Sequence, residues 1–200
     1  LAAVKAALFL LCLVPLARLG WDAWHNALGP NPIEAIQRGL GLWTLNFLVI
    51  TLCVTPLRRL SGWPWLMRLR RMLGLYAFFY AALHFASYLW LDHFFDWDEI
   101  ARDIVKRPFV TVGFAAFLLL IPLAVTSNRH ALRRLGGRRW QALHRAIYPI
   151  ALFGVVHYWW LVKRDVATPA FYAIAVLALL GLRALWRDRE RREQLAGKYA

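Results

Sequence analysis

Six long apolar runs dominate this chain, and they restrict it to a helical membrane protein. Each run has 17 to 20 residues, close to the roughly 20 residues that an α-helix needs to cross a hydrocarbon layer about 30 Å thick. A spanning segment must satisfy its own backbone hydrogen bonds, so these runs predict helices. We therefore predict one all-α domain over residues 1–200, a bundle of six transmembrane helices, with spans at approximately 2–19, 40–57, 72–91, 109–125, 146–162 and 169–186.

The charged residues are unequally distributed between the two sides of these spans. The chain carries 25 basic and 11 acidic residues, a balance that by itself resembles a nucleic-acid-binding protein. One side of the predicted bundle holds 18 basic and 3 acidic residues, and the other holds 7 basic and 8 acidic residues. The positive-inside rule makes the basic side cytoplasmic and puts both termini there. The charge thus indicates orientation and contact with lipid headgroups, and we expect no nucleic-acid partner.

The segments between the spans contain no recognisable cofactor-binding or redox motif. They are too short for a folded extramembrane domain, and no GxGxxG motif of a dinucleotide-binding unit follows a strand. Cys12 and Cys53 both fall inside spans, without the cysteine patterns of redox dithiols, covalently attached haem or iron–sulfur clusters. Most of the 11 tryptophans fall near span boundaries, as is typical of an interfacial aromatic belt.

Histidines are the candidate ligands inside the membrane. His84 lies in the third predicted span, His157 lies deep in the fifth, and His144 lies at the inner end of the fifth. An ionisable side chain at such depth is costly unless it has a partner, so it indicates a functional site. The alternatives are an interhelical hydrogen bond for His84 or His157 and an interfacial position beside Arg145 for His144. Three further histidines are predicted to be solvated surface residues, namely His25, His93 and His130.

His84 and His157 fall at the same predicted depth. His84 lies 8 residues before Asp92 and His157 lies 6 residues before Lys163, which is about 9–12 Å below the outer boundary at helical rise. Two neutral imidazoles at one level can bind the iron of a porphyrin from its two faces. A zinc ion would need further ligands, which this depth does not offer. We predict that His84 and His157 are the metal ligands of one haem.

A second haem is predicted near the inner boundary, with His144 as its metal ligand. His144 precedes His157 by 13 residues, about 20 Å along a helix. An ideal helix would point the two rings in different directions, and a kink at Pro149 is the predicted means of realigning them. The third span offers no second imidazole at this level; Met72 could supply an axial sulfur or simply pack against lipid. The cationic side chains predicted to bind cofactor propionates are Arg70, Arg71 and Arg145.

Four segments carry a family resemblance, namely residues 70–88 (RRMLGLYAFFYAALHFASY) and 139–163 (RWQALHRAIYPIALFGVVHYWWLVK), together with 47–59 and 107–128. They resemble the ferric reductase-like transmembrane superfamily, and specifically its bacterial MsrQ (YedZ) branch. Related ferric reductases and NADPH oxidases carry two histidines on each of the third and fifth helices, whereas His84 stands alone on the third helix here.

The resemblance implies a multi-pass b-type cytochrome of the bacterial inner membrane, with one or two haem b groups. Such a protein would accept electrons from the quinone pool or from a cytosolic flavin reductase. It would deliver them to a periplasmic molybdoprotein that reduces methionine sulfoxide, a common oxidative lesion, and would not itself be the sulfoxide-reducing catalyst. The family also implies FMN, for which the sequence contains no phosphate-binding loop.

Two other functions fit the same residues. One is a stand-alone metal-chelate or quinone-linked reductase of the same superfamily, and the other is a non-redox membrane protein with structural histidines. An absorption spectrum with a reducible haem band would exclude the second. We also predict that an acidic loop at residues 92–107, with the turn at 163–168, receives the soluble partner. The acidic residues of this loop are Asp92, Asp96, Asp98, Glu99 and Asp103.

Overall fold

The computed structural model describes residues 1–162 and 165–199, with side chains as far as residue 196. Lys163 and Arg164, which belong to the predicted 163–168 turn, lie outside the described residues. Within the described ranges the chain contains helices and turns and no strand. The helices are α1 (Ala2–Trp24), α2 (Pro32–Ser61), α3 (Met67–Ser87), α4 (Trp97–Lys106), α5 (Pro108–Val125), α6 (Arg129–Leu135), α7 (Gly137–His144), α8 (Ile147–Leu161) and α9 (Ala167–Tyr199).

Within the described residues, five helical segments are long and apolar enough to cross a membrane. They are α1, α2, α5, α9 and a segment made of α3 with the 3₁₀ turn before it and the π-helical turn after it. The remaining predicted span, the fifth, corresponds to α8, which has 15 residues and is therefore about 22 Å long at helical rise. The chain is an all-α, multi-pass membrane protein.

Helix α2 extends beyond both ends of its predicted span at 40–57. The Asn31 side chain caps its first turn by accepting a hydrogen bond from the Glu34 amide at 3.2 Å, and Pro32 occupies the first position. Gly62 ends the helix with φ 69°, a left-handed conformation that favours glycine. Hydropathy detects only the apolar centre of this helix because its first and last turns carry charged residues.

Two helix pairs form the centre of the bundle. Helix α3 packs mainly against α2, and α8 packs mainly against α5. The buried side chains between them include Leu52, Tyr80 and Ile150. Helix α1 lies at the edge with only Cys12 buried, and Tyr80 fastens it by donating a hydrogen bond to the Cys12 carbonyl at 2.8 Å. The two pairs meet through contacts of α3 with α5 and of α2 with α8.

The bundle has two chemically different ends. We call the end formed by residues 58–71 and 126–146 the basic end, because arginines dominate it, and the end formed by residues 22–34 and 92–107 the acidic end. Helix α7 ends at His144 and α8 begins at Ile147, so a helix break separates His144 from His157. Pro149 lies in the first turn of α8, where its missing N–H group breaks no hydrogen bond. The predicted kink at Pro149 is therefore replaced by a break at residues 145–146.

Candidate functional site

The two histidines predicted to form a pair lie side by side. His84, from α3, and His157, from α8, have ring centroids 6.1 Å apart and ring planes at 72°. Both side chains are half-buried. The structure thus brings the predicted pair together across the boundary between the two helix pairs.

Each of these rings is held by a backbone carbonyl of the neighbouring helix. His84 Nδ1 lies 3.0 Å from the carbonyl oxygen of Gln37 in α2, and His157 Nδ1 lies 2.7 Å from that of Phe109 in α5. A carbonyl oxygen only accepts, so Nδ1 of each ring carries the proton and donates it. The lone pair of each neutral ring is then on Nε2, which is the arrangement found in metal-ligating histidines.

A glycine lies beneath each ring, four residues after the carbonyl that holds it. A Cβ atom built on Gly113 would lie 2.6 Å from His157 Nδ1, and one built on Gly41 would lie 3.2 Å from His84 Cε1. Real Cβ atoms do not approach at the first distance, so Gly113 is required for the ring position. The same unit, a carbonyl followed by a glycine one helical turn later, therefore occurs once in α2 and once in α5.

The surroundings of the pair are aromatic and apolar. The Phe109 ring centroid lies 6.3 Å from that of His157, and Phe85 packs against Phe114 and Phe117 with centroids 5.6 and 4.8 Å apart. In the part of the chain that the structure describes, no three His, Cys, Asp or Glu side chains are arranged to hold a metal ion. A bare ion would therefore lack ligands here, whereas a metal macrocycle needs only two axial ones.

His144 makes a different set of contacts at the basic end. The Thr126 hydroxyl donates to the Pro122 carbonyl at 2.6 Å, so it accepts the Nε2 proton of His144 at 3.0 Å. The ring also stacks on Trp140 with centroids 3.9 Å apart. Burial lowers the pKa of His144, and the nearby charge of Arg70 lowers it further, so the ring is neutral near pH 7. In this conformation the free lone pair of His144 is on Nδ1.

The three arginines predicted to bind a cofactor differ in their environments. Arg70 is half-buried in α3, near Tyr148 and Arg183. Arg71 and Arg145 are exposed. The structure therefore groups Arg70 with two residues that the sequence analysis did not select. Tyr148 and Arg183 come near Arg70 only through the relative rotation of α3, α8 and α9. Spacing along the sequence gives the depth of a residue in the bundle but not the direction in which its side chain points.

Comparisons with known proteins identify the family. Residues 39–155 match the model of the ferric reductase like transmembrane component. The chain is 61% identical over 190 residues to the protein-methionine-sulfoxide reductase heme-binding subunit MsrQ of Azospira oryzae, across 94% of this chain and 82% of that protein. The chain belongs to the MsrQ family.

Two further MsrQ subunits are similar over almost the whole chain. Identity is 54% over 201 residues with the subunit of Herminiimonas arsenicoxydans, across 98% of this chain and 92% of that protein. It is 52% over 195 residues with that of Ralstonia nicotianae, across 96% and 90%. The segment that matches the family model contains His84, His144 and both ring-supporting glycines of this MsrQ-family chain, and it ends two residues before His157.

His93 corrects one sequence prediction for this MsrQ-family member. It was expected at the surface, yet only 7% of it is exposed. Its ring packs on Tyr88 with centroids 4.5 Å apart, and its Nε2 lies 3.5 Å from Asp103 Oδ2. After His93 the chain turns through Phe94 and Phe95, with φ of 45° and 63°, and α4 then places Asp103 beside this residue. The other two histidines expected at the surface are exposed, namely His25 and His130.

The acidic residues at 92–107 belong largely to a helix instead of a loop. Asp96 caps α4 by accepting from the Glu99 amide at 3.0 Å. Asp103 is buried, accepts a hydrogen bond from Tyr88 at 3.0 Å and pairs with Arg107 at 2.7 Å. These two carboxylates thus stabilise the acidic end of the MsrQ-family fold. The acidic side chains that remain exposed on this segment are Asp92, Asp96, Asp98 and Glu99.

Proposed function

We propose that this chain is a b-type cytochrome subunit in which His84 and His157 bind one haem b through their Nε2 atoms. The observation that carries the proposal is the pair of Nδ1–H groups donated to Gln37 and Phe109, which leaves both Nε2 lone pairs available. The two ring centroids lie 6.1 Å apart, close enough for both imidazoles to hold one metal ion.

Haem bound between these rings would supply one-electron transfer. The protein would contribute three things of its own: two oriented imidazoles, two glycines that leave room for them, and an aromatic, water-poor environment. Hydrogen bonds from ligating histidines to carbonyls raise ligand basicity and hold the ring orientation. The curated MsrQ relatives are named heme-binding subunits of a protein-methionine-sulfoxide reductase, which supports the same assignment for this chain.

We further propose an inner-membrane orientation with six spans and both termini in the cytoplasm. The apolar helix α8 would be the fifth of these spans in chain order, with the basic end cytoplasmic by the positive-inside rule. Electrons from the quinone pool or a cytosolic flavin reductase would then leave at the acidic end for a periplasmic molybdoprotein that reduces methionine sulfoxide. FMN is part of this proposal through the family resemblance alone.

His144 is proposed as the ligand of a second, inner haem. Its Nε2 proton is engaged by Thr126, so ligation would use Nδ1 or would require the ring to turn. Of the arginines proposed to bind propionates, Arg70 is the half-buried one, whereas Arg71 and Arg145 could reach a cofactor only from the exposed surface. We therefore expect a weakly held inner haem, with fewer than two haems per purified chain.

The test is the absorption and electron paramagnetic resonance spectrum of single alanine variants. His84→Ala and His157→Ala should each abolish one low-spin haem signal, because each removes an axial ligand. His25→Ala is the matched control, since His25 is exposed and its ring contacts Trp21 in the preceding helical turn. His144→Ala should remove only the inner, partly high-spin component. Unchanged haem content in both His84→Ala and His157→Ala would refute the assignment.

A further inference from the structure

Helix α4 is tethered at both ends to one boundary of the membrane. The segment long enough to span that contains α3 ends at Asp92, and the next such segment, α5, begins at Pro108. Two consecutive spans are joined on one side of a membrane, here at the acidic end. Trp97 begins α4 only five residues after Asp92, and a single residue separates the end of α4 from Pro108. Because α4 is about 15 Å long, these short connections hold the helix along the boundary.

One side of α4 packs on the bundle. Ile100 and Asp103 are buried on this side. Asp103 accepts a hydrogen bond from the Tyr88 hydroxyl at 3.0 Å and pairs with Arg107 at 2.7 Å. These contacts fix the rotation of α4 about its own axis, and so they determine the direction of its other side chains.

A second side of α4 is apolar and exposed. Trp97, Ala101 and Val105 follow one another at intervals of four residues, so they form a stripe about 80° wide along the helix. We call these three residues the apolar stripe. The exposed fraction is 64% for Trp97 and 80% for Val105. A contiguous exposed apolar surface of this kind indicates a contact with something apolar outside the fold.

The third side of α4 is charged. Going around the helix, the side packed on the bundle, the apolar stripe and the charged side follow one another, each at about a third of the circumference. This three-sided arrangement is typical of a helix at the rim of a bundle that lies in the plane of the membrane surface. The charged side consists of two acidic and two basic exposed residues, namely Asp98, Glu99, Arg102 and Lys106.

The turn before α4 presents two more aromatic rings. Phe94 and Phe95 have φ of 45° and 63°, a left-handed conformation that bulky residues rarely adopt. The Phe95 amide donates to the Leu89 carbonyl at 2.9 Å and the Asp96 amide donates to the His93 carbonyl at 2.8 Å, which fixes the turn. Both rings are nevertheless exposed, at 76% and 48%. Strain of this kind is typical of functional segments, and here it holds two apolar rings at the same boundary as the apolar stripe.

We propose that α4 is an interfacial anchor whose apolar stripe inserts into the phospholipid leaflet at the acidic end. The partner is the bilayer itself, since α4 is held at its boundary and tryptophan is enriched there. The stripe would enter about 5–10 Å into the region between headgroups and acyl chains. The charged side then faces water, which leaves Asp98 and Glu99 accessible. The proposal depends on the multi-pass fold and does not depend on the haem assignment.

The test compares two neighbouring residues that lie on different sides of α4. In full-length protein with Cys12 and Cys53 replaced by alanine, Val105→Cys places a label on the apolar stripe and Lys106→Cys is the matched control on the charged side. Each variant carries an environment-sensitive fluorophore and is placed singly in nanodiscs of phosphatidylcholine. The two quenchers are phosphatidylcholine with a nitroxide at the headgroup or upper acyl chain, and iodide in the water.

The two labels should respond in opposite ways. Lipid nitroxide should quench the label at Val105→Cys several-fold more than the label at Lys106→Cys, because only the stripe enters the leaflet. Iodide should quench the label at Lys106→Cys several-fold more. A second pair, Ala101→Cys and Arg102→Cys, should repeat the result, and it keeps the test valid if one of the first variants does not fold.

Three results would overturn the proposal. Iodide quenching that is equal at Val105→Cys and Lys106→Cys, without lipid quenching, would mean that the stripe faces water. Protection of Val105→Cys from both quenchers would mean that the bundle covers it. A label at Val105→Cys that iodide reaches until the soluble partner is added would mean that the stripe is a protein-docking surface instead of a lipid contact.

Discussion

His84 and His157, the proposed haem ligands, each have a backbone carbonyl as the acceptor for the Nδ1 hydrogen of the ring. A helical carbonyl already accepts a bond from the amide four residues on. The residue at that position is Gly41 in α2 and Gly113 in α5. Because glycine has no Cβ, the ring can reach the carbonyl past it. These glycines thus determine where the histidines of the neighbouring helices lie.

Replacing Gly113 with alanine should disturb His157 specifically. The new Cβ would lie 2.6 Å from His157 Nδ1, so the ring must shift and its hydrogen bond to Phe109 must weaken. We expect a several-fold loss of low-spin haem, measured by pyridine haemochrome and paramagnetic resonance, and an overpacking cost of about 1–3 kcal/mol in unfolding free energy. Gly181→Ala is the control, since no atom lies within 4 Å of its Cβ position. Equal haem content in the two variants would contradict this role.

The sequence predicts the depth of the two histidines but not the carbonyl and glycine units that orient their rings. The depth of His84 and His157 follows from counting residues at a constant rise per residue. The supporting glycines belong to other helices, so no local spacing reveals them. Arg70 and Arg71 are adjacent in sequence, yet only Arg70 points inward, because successive residues on a helix point about 100° apart.

At the scale of elements, the hydropathy of the sequence predicts the apolar centre of each long helix but not the residues at which the helix begins and ends. Charged turns prolong α2 and α9 beyond their apolar runs, and local hydrogen bonding decides where such helices stop. The segment at 92–107 carries too few apolar residues to register as a span, and it forms the short amphipathic helix α4. The burial of His93 and Asp103 follows from α4 folding back, which is a tertiary effect.

The exposed acidic residues of α4 are predicted to guide the soluble partner. Neutralising Asp98 and Glu99 together, as Asp98→Asn and Glu99→Gln, should slow electron delivery to the partner several-fold at low ionic strength. The salt dependence of the rate should become flatter, because rim charges act mainly on association. Stopped-flow oxidation of the reduced membrane subunit by its partner measures both effects.

Two controls distinguish docking from stability in that experiment. Glu193→Gln removes an exposed carboxylate from α9 at the basic end and should leave the rate unchanged. Asp103→Asn should instead lower stability, since Asp103 pairs with Arg107 and accepts from Tyr88 inside the fold. Rates that are unaffected by the Asp98 and Glu99 changes at low salt would exclude this surface as the docking site.

At the scale of the whole molecule, the asymmetry of charge predicts one orientation in the membrane. In a background with Cys12 and Cys53 replaced by alanine, Ala27→Cys probes the acidic end and Gly137→Cys probes the basic end. Both positions are exposed. An impermeant maleimide added to intact spheroplasts should label Ala27→Cys only, and Gly137→Cys should react after permeabilisation. Labelling of both positions before permeabilisation, or of Gly137→Cys alone, would contradict six spans with cytoplasmic termini.

The paired carbonyl and glycine units have a consequence for the speed of electron transfer. Each helix pair carries its own histidine and its own carbonyl acceptor, so the protein backbone holds both rings in place. Both imidazoles would keep their orientation and their Nδ1 hydrogens while a bound haem supplied one-electron transfer. Preorganised polar groups add little reorganisation at the moment of reaction. We therefore expect a low reorganisation energy for electron transfer through this site, because two hydrogen bonds hold the rings and the two glycines leave room for them.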